Sequence, residues 1–293
     1  MSQIVMCHGI GYQFKHRETG YSDWYKALHD SMSDACLPVP SSEAISTVFY
    51  GNCYRSQNSK GSDNRDELAQ IPNLKVQDLT DPLEVELLQT LAAGVSTLAP
   101  DGKGLMQSAL RRLEKSERLG RPPARLVLWL LRQVRRYLDP EDSVRGCAQQ
   151  RFARVVTPDT RVVIAHSLGS VVAYEALCGD HPDWNIETFV TLGSPLGLKA
   201  VQERLVPRPS AAEGDSTPKV RRWVNVAASD DPIALVKELK PAFGDIVEDQ
   251  LVVNTPVFNP QRYVLGSHSV LRYITTAELA EAVDQALSHE DKS

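Results

Sequence analysis

The chain lacks the features that would carry it into or across a membrane. It opens MSQIVMCHGIG, without the positively charged start and the following apolar run of about 7 to 15 residues that a secretory leader needs. Its longest purely apolar stretch, LVLWLL at 126–131, falls far short of the roughly 20 residues that span a bilayer. A soluble, cytoplasmic protein, at most peripheral to a membrane, is expected. Net charge is also small, −5 at pH 7 over 293 residues with a pI near 5.8, so no global basic surface recommends nucleic acid as a partner. Cysteine is scarce. The five present (Cys7, Cys36, Cys53, Cys147, Cys178) are odd in number and have no metal-ligand spacing, and without an export signal they read as reduced thiols. No internal repeat is found, and the one low-complexity stretch is PRPSAAEGDSTP at 207–218.

What is present is the material of a substantial core: 42% of the residues are hydrophobic and 24% charged, enough for one large domain or two modest ones. QIVMC at 3–7 is a short apolar run ending in the turn HGIG. A helical stretch follows from about Tyr21 to Cys36, with Trp24, Leu28 and Met32 four residues apart. AISTVFY at 44–50 is β-branched and aromatic and predicts a second strand, and NCYRSQNSKGSDNRDE at 52–67 predicts an exposed loop. From about Asp78 to Arg154 the pattern is helical without interruption. Strands return at RVVIA (161–165), ETFVTLG (187–193), VRRWVNVAA (220–228) and DQLVVN (249–254). Strands alternating with helices predict an α/β fold with a mostly parallel central sheet covered on both faces.

The most informative stretch is VVIAHSLGSVVAYEAL at 162–177, a strand running into Ser167 and then directly into a helix. In a parallel α/β sheet reactive groups collect at the carboxyl ends of strands. Small residues at Ala165 and Gly169 permit a sharp strand-to-helix turn, which would hold the hydroxyl exposed beside a helix amino terminus. The five residues AHSLG resemble the G-x-S-x-G nucleophile elbow of the α/β-hydrolase fold, lipase and esterase branch, with alanine in place of the first glycine. That family orders its residues serine, acid, histidine. The resemblance implies Ser167 as nucleophile, Asp231 of NVAASDDPIAL as acid with Asp230 as the alternative, and His268 of LGSHSVLRY as base. His289, the only other histidine beyond the acids, sits in the charged tail HEDKS. A helix N-cap before PIALVKEL would account for Asp231 without catalysis, and Asp230 or Ser229 would serve that purpose equally.

The chemistry needs those residue types. A serine hydroxyl is a weak nucleophile until an imidazole takes its proton, and a buried carboxylate must orient that imidazole. The oxyanion needs backbone donors; the resemblance assigns these to the amide of Leu168 and to the HGIG turn, at Ile10 with Gly11 as the alternative. His8 is expected to shape that turn, and His166 to fill the variable position of the elbow at the rim of the site. TLGSPLG at 191–197 also resembles a turn of the family, carried over by position only.

The resemblance covers the first 50 residues and about 155–280. The hundred residues between would ordinarily hold one crossover helix, so 52–140 reads as a helical cap inserted before the nucleophile strand, with 1–51 and 141–293 as the hydrolase core. Residues 111–136 carry nine Lys or Arg against Glu114 and Glu117. The stretch 122–138 is therefore either a packed cap helix with a solvated face or a basic amphipathic helix that touches an anionic membrane. The implied activity is hydrolysis of a carboxylic ester, a lipid ester being the more specific form, with no metal or organic cofactor. The alternatives are a phospholipase-like effector of a bacterial conflict or defence system and a catalytically silent scaffold that binds protein. Thioester, amide and acyl-transfer chemistry all fit the same residues.

Overall fold

Two strands, β1 (Ile4–Cys7) and β3 (Val162–His166), are buried along their whole length. Continuous apolar runs of this kind form the centre of a sheet covered on both faces. With β2 (Ile45–Val48), β4 (Thr188–Leu192), β5 (Arg222–Ala228) and β6 (Val247–Val252) they make a six-stranded sheet of order β2-β1-β3-β4-β5-β6, every pair parallel. This computed structural model describes residues 3–11, 17–54, 71–95, 105–119, 121–210, 216–253 and 266–288. The polar stretch at 52–67 from residue 55 onward, residues 211–215 of the low-complexity stretch, Asn254 at the end of the last strand run, Leu265 and His289 lie outside the described residues.

Alternation along each strand sends successive side chains to opposite faces. Val5, Cys7, Val163, Ala165, Phe189 and Trp223 face one core; Ile4, Met6, Val162, Ile164, Val190, Val224 and Val226 face the other. The second core is closed by α1 (Arg17–Asp34), α9 (Val270–Ile274) and α10 (Ala277–Ser288). The first is closed by α2 (Pro82–Val95), α3 (Leu105–Lys115), α4 (Ala124–Leu138), α5 (Val144–Ala153) and α6 (Leu168–Leu177). Two single-turn helices, α7 (Lys199–Gln202) and α8 (Lys240–Phe243), complete the helical elements used below. The predicted stretch PIALVKEL forms bends, with no helix before α8. Among the described residues no helix is long and apolar enough to cross a membrane.

A buried polar cluster fastens α4 and α5 to α6. The Tyr137 hydroxyl donates to Glu175 Oε2 at 2.7 Å, Gln149 Nε2 donates to the Tyr137 oxygen at 2.8 Å, and the Val206 amide donates to Glu175 Oε1 at 3.0 Å. Burial raises the Glu175 carboxyl above its ordinary value, against the opposing pull of Arg145 and these hydrogen bonds. Three cationic side chains of α4 are engaged within the protein: Arg132 and Arg135 reach the buried Glu84 of α2, Arg135 also pairs with Asp139, and Arg136 pairs with Asp142.

One sequence expectation is overturned. Cys53 and Cys147 form a disulfide across 94 residues of chain, with Cα atoms 5.9 Å apart. The turn after β2 is folded against α5, which brings the two thiols within bonding reach; no local spacing rule reveals that proximity. Cys7, Cys36 and Cys178 are free, and burial pushes the Cys178 thiol up to about 12.

Candidate active site

The chain runs outward from β1 to β2 and then returns to place β3 on the other side of β1. Loops diverge where strand order reverses in this way, and a crevice opens at the carboxyl ends of the strands. His8 follows β1 and Ser167 follows β3, so both stand at that crevice.

Ser167 caps α6 with φ 53° and ψ −128°, a sparsely populated conformation for a residue with a side chain that costs about 1–3 kcal/mol. Several bonds hold it there. Its amide donates to the Leu192 carbonyl at 3.0 Å, and its own carbonyl accepts from the Ser170 amide at 2.9 Å and from the Ser170 hydroxyl. With the Ser170 proton committed, Ser194 donates to Ser170 Oγ at 2.7 Å and accepts from the Leu196 amide at 3.2 Å. Gly169 makes the tight turn possible: a Cβ there would stand 2.5 Å from the carbonyl oxygens of Cys7 and His8. The absence of a side chain lets α6 lie directly against the end of β1.

The three residues singled out in the sequence meet here. His268 Nε2 lies 2.8 Å from Ser167 Oγ, and His268 Nδ1 lies 2.7 Å from Asp231 Oδ2. In the neutral ring this corresponds to Nδ1–H donating to the carboxylate while Nε2 accepts from the serine hydroxyl. Asp231 and His268 are almost fully buried. Burial opposes ionisation of Asp231, but the charge of His268 and hydrogen bonds from His268, Tyr273 and the Ile233 amide outweigh it and hold the carboxyl below its usual value. Asp230 takes a different part: its backbone carbonyl accepts from Ser267 Oγ at 3.0 Å. Ser267 also bonds the Arg118 carbonyl through its amide at 2.8 Å, which ties the turn after α3 to the residue preceding His268.

The two other histidines in the crevice are held neutral. His8 Nδ1–H donates to the Gly9 carbonyl at 2.7 Å, its Nε2 accepts from the Tyr50 amide at 3.3 Å, and its ring stacks on Tyr50 at 4.4 Å. Burial lowers it to about 4. His166 donates through Nε2–H to the His268 carbonyl at 2.9 Å, and burial, then the neighbouring His268, lowers it to about 3. The expectation of a rim position for His166 is refined by its burial against His268, ring centroids 4.7 Å apart.

Above Ser167 lies a cavity with about 840 Å³ of empty volume, the open solvent at its mouth included. Ser167, His166 and His268 are its polar end. The rest is apolar, with Leu87 and Leu91 from α2, Leu113 from α3, Val127, Leu131 and Val134 from α4, and Leu198 and Val201 opposite. Ile10 and Leu168, the assigned amide donors, both line it. Leu168 opens α6, where the first amides of a helix have no partner inside the helix. Among the described residues no group of three or more His, Cys, Asp or Glu side chains is placed to hold a metal ion.

Neither the protein-family models, nor the curated proteins, nor the solved structures yield a match to this chain. The site therefore has to be read from its own geometry. Sequence reasoning assigned no part to Ser170, Ser194 and Tyr273, which support Ser167 and Asp231. Each stands inside a stretch already singled out (VVIAHSLGSVVAYEAL, TLGSPLG and LGSHSVLRY), and that placement is the one signal the chain offers.

Proposed function

We propose that the chain is a serine hydrolase of the α/β-hydrolase type that cleaves a carboxylic ester with an extended aliphatic acyl group. The observation that carries this reading is the hydrogen-bonded series Ser167, His268, Asp231 at the strained start of α6, opening onto an apolar cavity. In this reading His268 Nε2 takes the Ser167 proton as Oγ attacks the ester carbonyl carbon. The amides of Leu168 and Ile10 receive the negative charge on the carbonyl oxygen, assisted by the positive end of α6. Collapse of that intermediate expels the alcohol, which takes its proton from His268, and leaves the acyl group on Ser167. Water, deprotonated by His268, then releases the acid.

The lining supports the aliphatic acyl group: a polar or charged acyl chain would lose its hydration among leucines and valines and gain no partner. Helices α2 to α4 act as a cap in this account, because together with the turn between α3 and α4 they supply half of the residues that line the cavity. The test is labelling with a fluorophosphonate probe, with the adduct located by peptide mass spectrometry, alongside turnover of p-nitrophenyl esters from acetate to palmitate. Labelling at Ser167, loss of turnover by about 10⁴-fold or more in Ser167→Ala and His268→Ala, and preference for chains beyond acetate are expected. A folded wild-type protein that neither labels nor turns over any ester refutes the reading.

A further inference from the structure

Tyr273 has no part in the steps above, yet it touches the group that orients the base. It is fully buried on α9, and its hydroxyl donates to Asp231 Oδ2 at 2.6 Å. That is the oxygen to which His268 Nδ1–H also donates. The Tyr273 oxygen in turn accepts from the Ala228 amide at 3.1 Å, which fixes the ring at the end of β5. Gly193, at φ 55° in the turn after β4, makes room for this meeting. A Cβ there would stand 2.8 Å from the Tyr273 ring and 2.9 Å from Asp231 Oδ2.

We propose that Tyr273 is a positioning residue that acts through Asp231 to moderate the hold of the carboxylate on His268, with Gly193 left bare to admit the contact. The proposal rests on the serine hydrolase reading. A second strong donor on Oδ2 draws off negative charge that would otherwise stabilise protonated His268. The free base is thereby kept available at lower pH. Burial beside the carboxylate raises the tyrosine hydroxyl well above its ordinary value, so it remains a donor. The other titratable or charged groups at this spot are His166, its ring tilted against that of His268 with His8 behind it, Lys237, which donates to the Asp231 carbonyl, Asp230, and Arg118 near Lys237. None of these is altered by removing one hydroxyl.

The test is the pH dependence of the rate at which a fluorophosphonate labels Ser167, in wild type, Tyr273→Phe and a protein carrying 3-fluorotyrosine at 273, with Ser167→Ala as control. The acid limb is expected to move up by about one pH unit in Tyr273→Phe. It moves down with 3-fluorotyrosine, whose hydroxyl is the stronger donor. If Tyr273→Phe fails to fold, the fluorotyrosine protein, which keeps both hydrogen bonds, decides the question. Labelling with superimposable profiles, or a shift of opposite sign, overturns the role of Tyr273 alone. A folded wild type without labelling at Ser167 overturns the hydrolase reading and this proposal with it.

Discussion

Acid should destabilise this protein before its carboxylates titrate, because two buried histidines cannot be protonated in place. His8 uses one ring nitrogen as donor to Gly9 and the other as acceptor from the Tyr50 amide, so a second proton would break the Tyr50 bond. His166 is buried against His268. Folding lowers them from an ordinary 6.5 to about 4 and about 3, respectively. A histidine depressed in the folded state contributes stability that is complete above 6.5 and is lost as pH falls toward the folded value. At pH 5 each has lost about 2 kcal/mol relative to pH 8, so the pair removes about 4 kcal/mol, a large share of a total that is about 5–15 kcal/mol for typical domains. Tm should fall by about 7 °C over that interval, using about 2 cal/mol/K of unfolding entropy per residue. Glu175, raised by burial, works in the opposite direction at the lower end, so a variant comparison isolates the histidines. Urea unfolding at pH 8, 7, 6 and 5 for wild type, His8→Gln and His166→Gln is the assay, each substitution being expected to lower stability at pH 8 and to flatten the slope. Equal stability of the wild type at pH 8 and pH 5, or a slope untouched by both substitutions, would refute the argument.

Two further outcomes follow from other parts of the fold. The Cys53–Cys147 bond closes a loop of about 94 residues that contains α2, α3 and α4, which in the chain-entropy account is worth about 4–5 kcal/mol; the Cys53→Ala, Cys147→Ala double variant should unfold at correspondingly lower urea, and five titratable thiols in the denatured, unreduced wild type would show that the bond is not there. Gly169→Ala places a methyl group 2.5 Å from two backbone carbonyls, so it should push α6 away from β1, cost about 1–3 kcal/mol and slow labelling of Ser167 by at least tenfold; a wild-type melting curve and labelling rate would show that the contact relaxes freely.

The sheet was legible in the sequence because burial on both faces leaves runs such as IVMC and VVIA with no polar residue that would suggest another arrangement. The positions at the carboxyl ends of β1, β3 and β5 were legible for a related reason: HGIG, HSLG and SDDP break those runs where the chain must turn. Resolution stopped at neighbours within one turn. Asp230 and Asp231 have the same chemistry and adjacent positions, and only the fold decides that Asp231 directs its side chain at His268 while Asp230 meets Ser267 through its backbone. The disulfide was illegible because its partners are 94 residues apart and become neighbours only when α5 packs against the turn after β2.

The same limit explains why the supporting residues went unread, and it shows how the site is braced. Ser167 is fixed by Leu192 and, through Ser170 of α6, by Ser194; Leu192 and Ser194 are at or just past the end of β4. Asp231 is fixed by Tyr273, which is seated on Ala228 at the end of β5 and admitted by Gly193, again just past β4. The turn Gly193–Ser194–Pro195 therefore stands between the backbone that holds Ser167 and the carboxylate that holds the His268 imidazole. β4 and β5 are paired along their length, so the separation between those two supports is set by the ladder and not by flexible loops. A substitution at Ser194 should consequently disturb Ser167 with little effect on the Asp231–His268 pair. One at Gly193 should do the reverse, and the two effects should be separable in the labelling rate and its pH dependence.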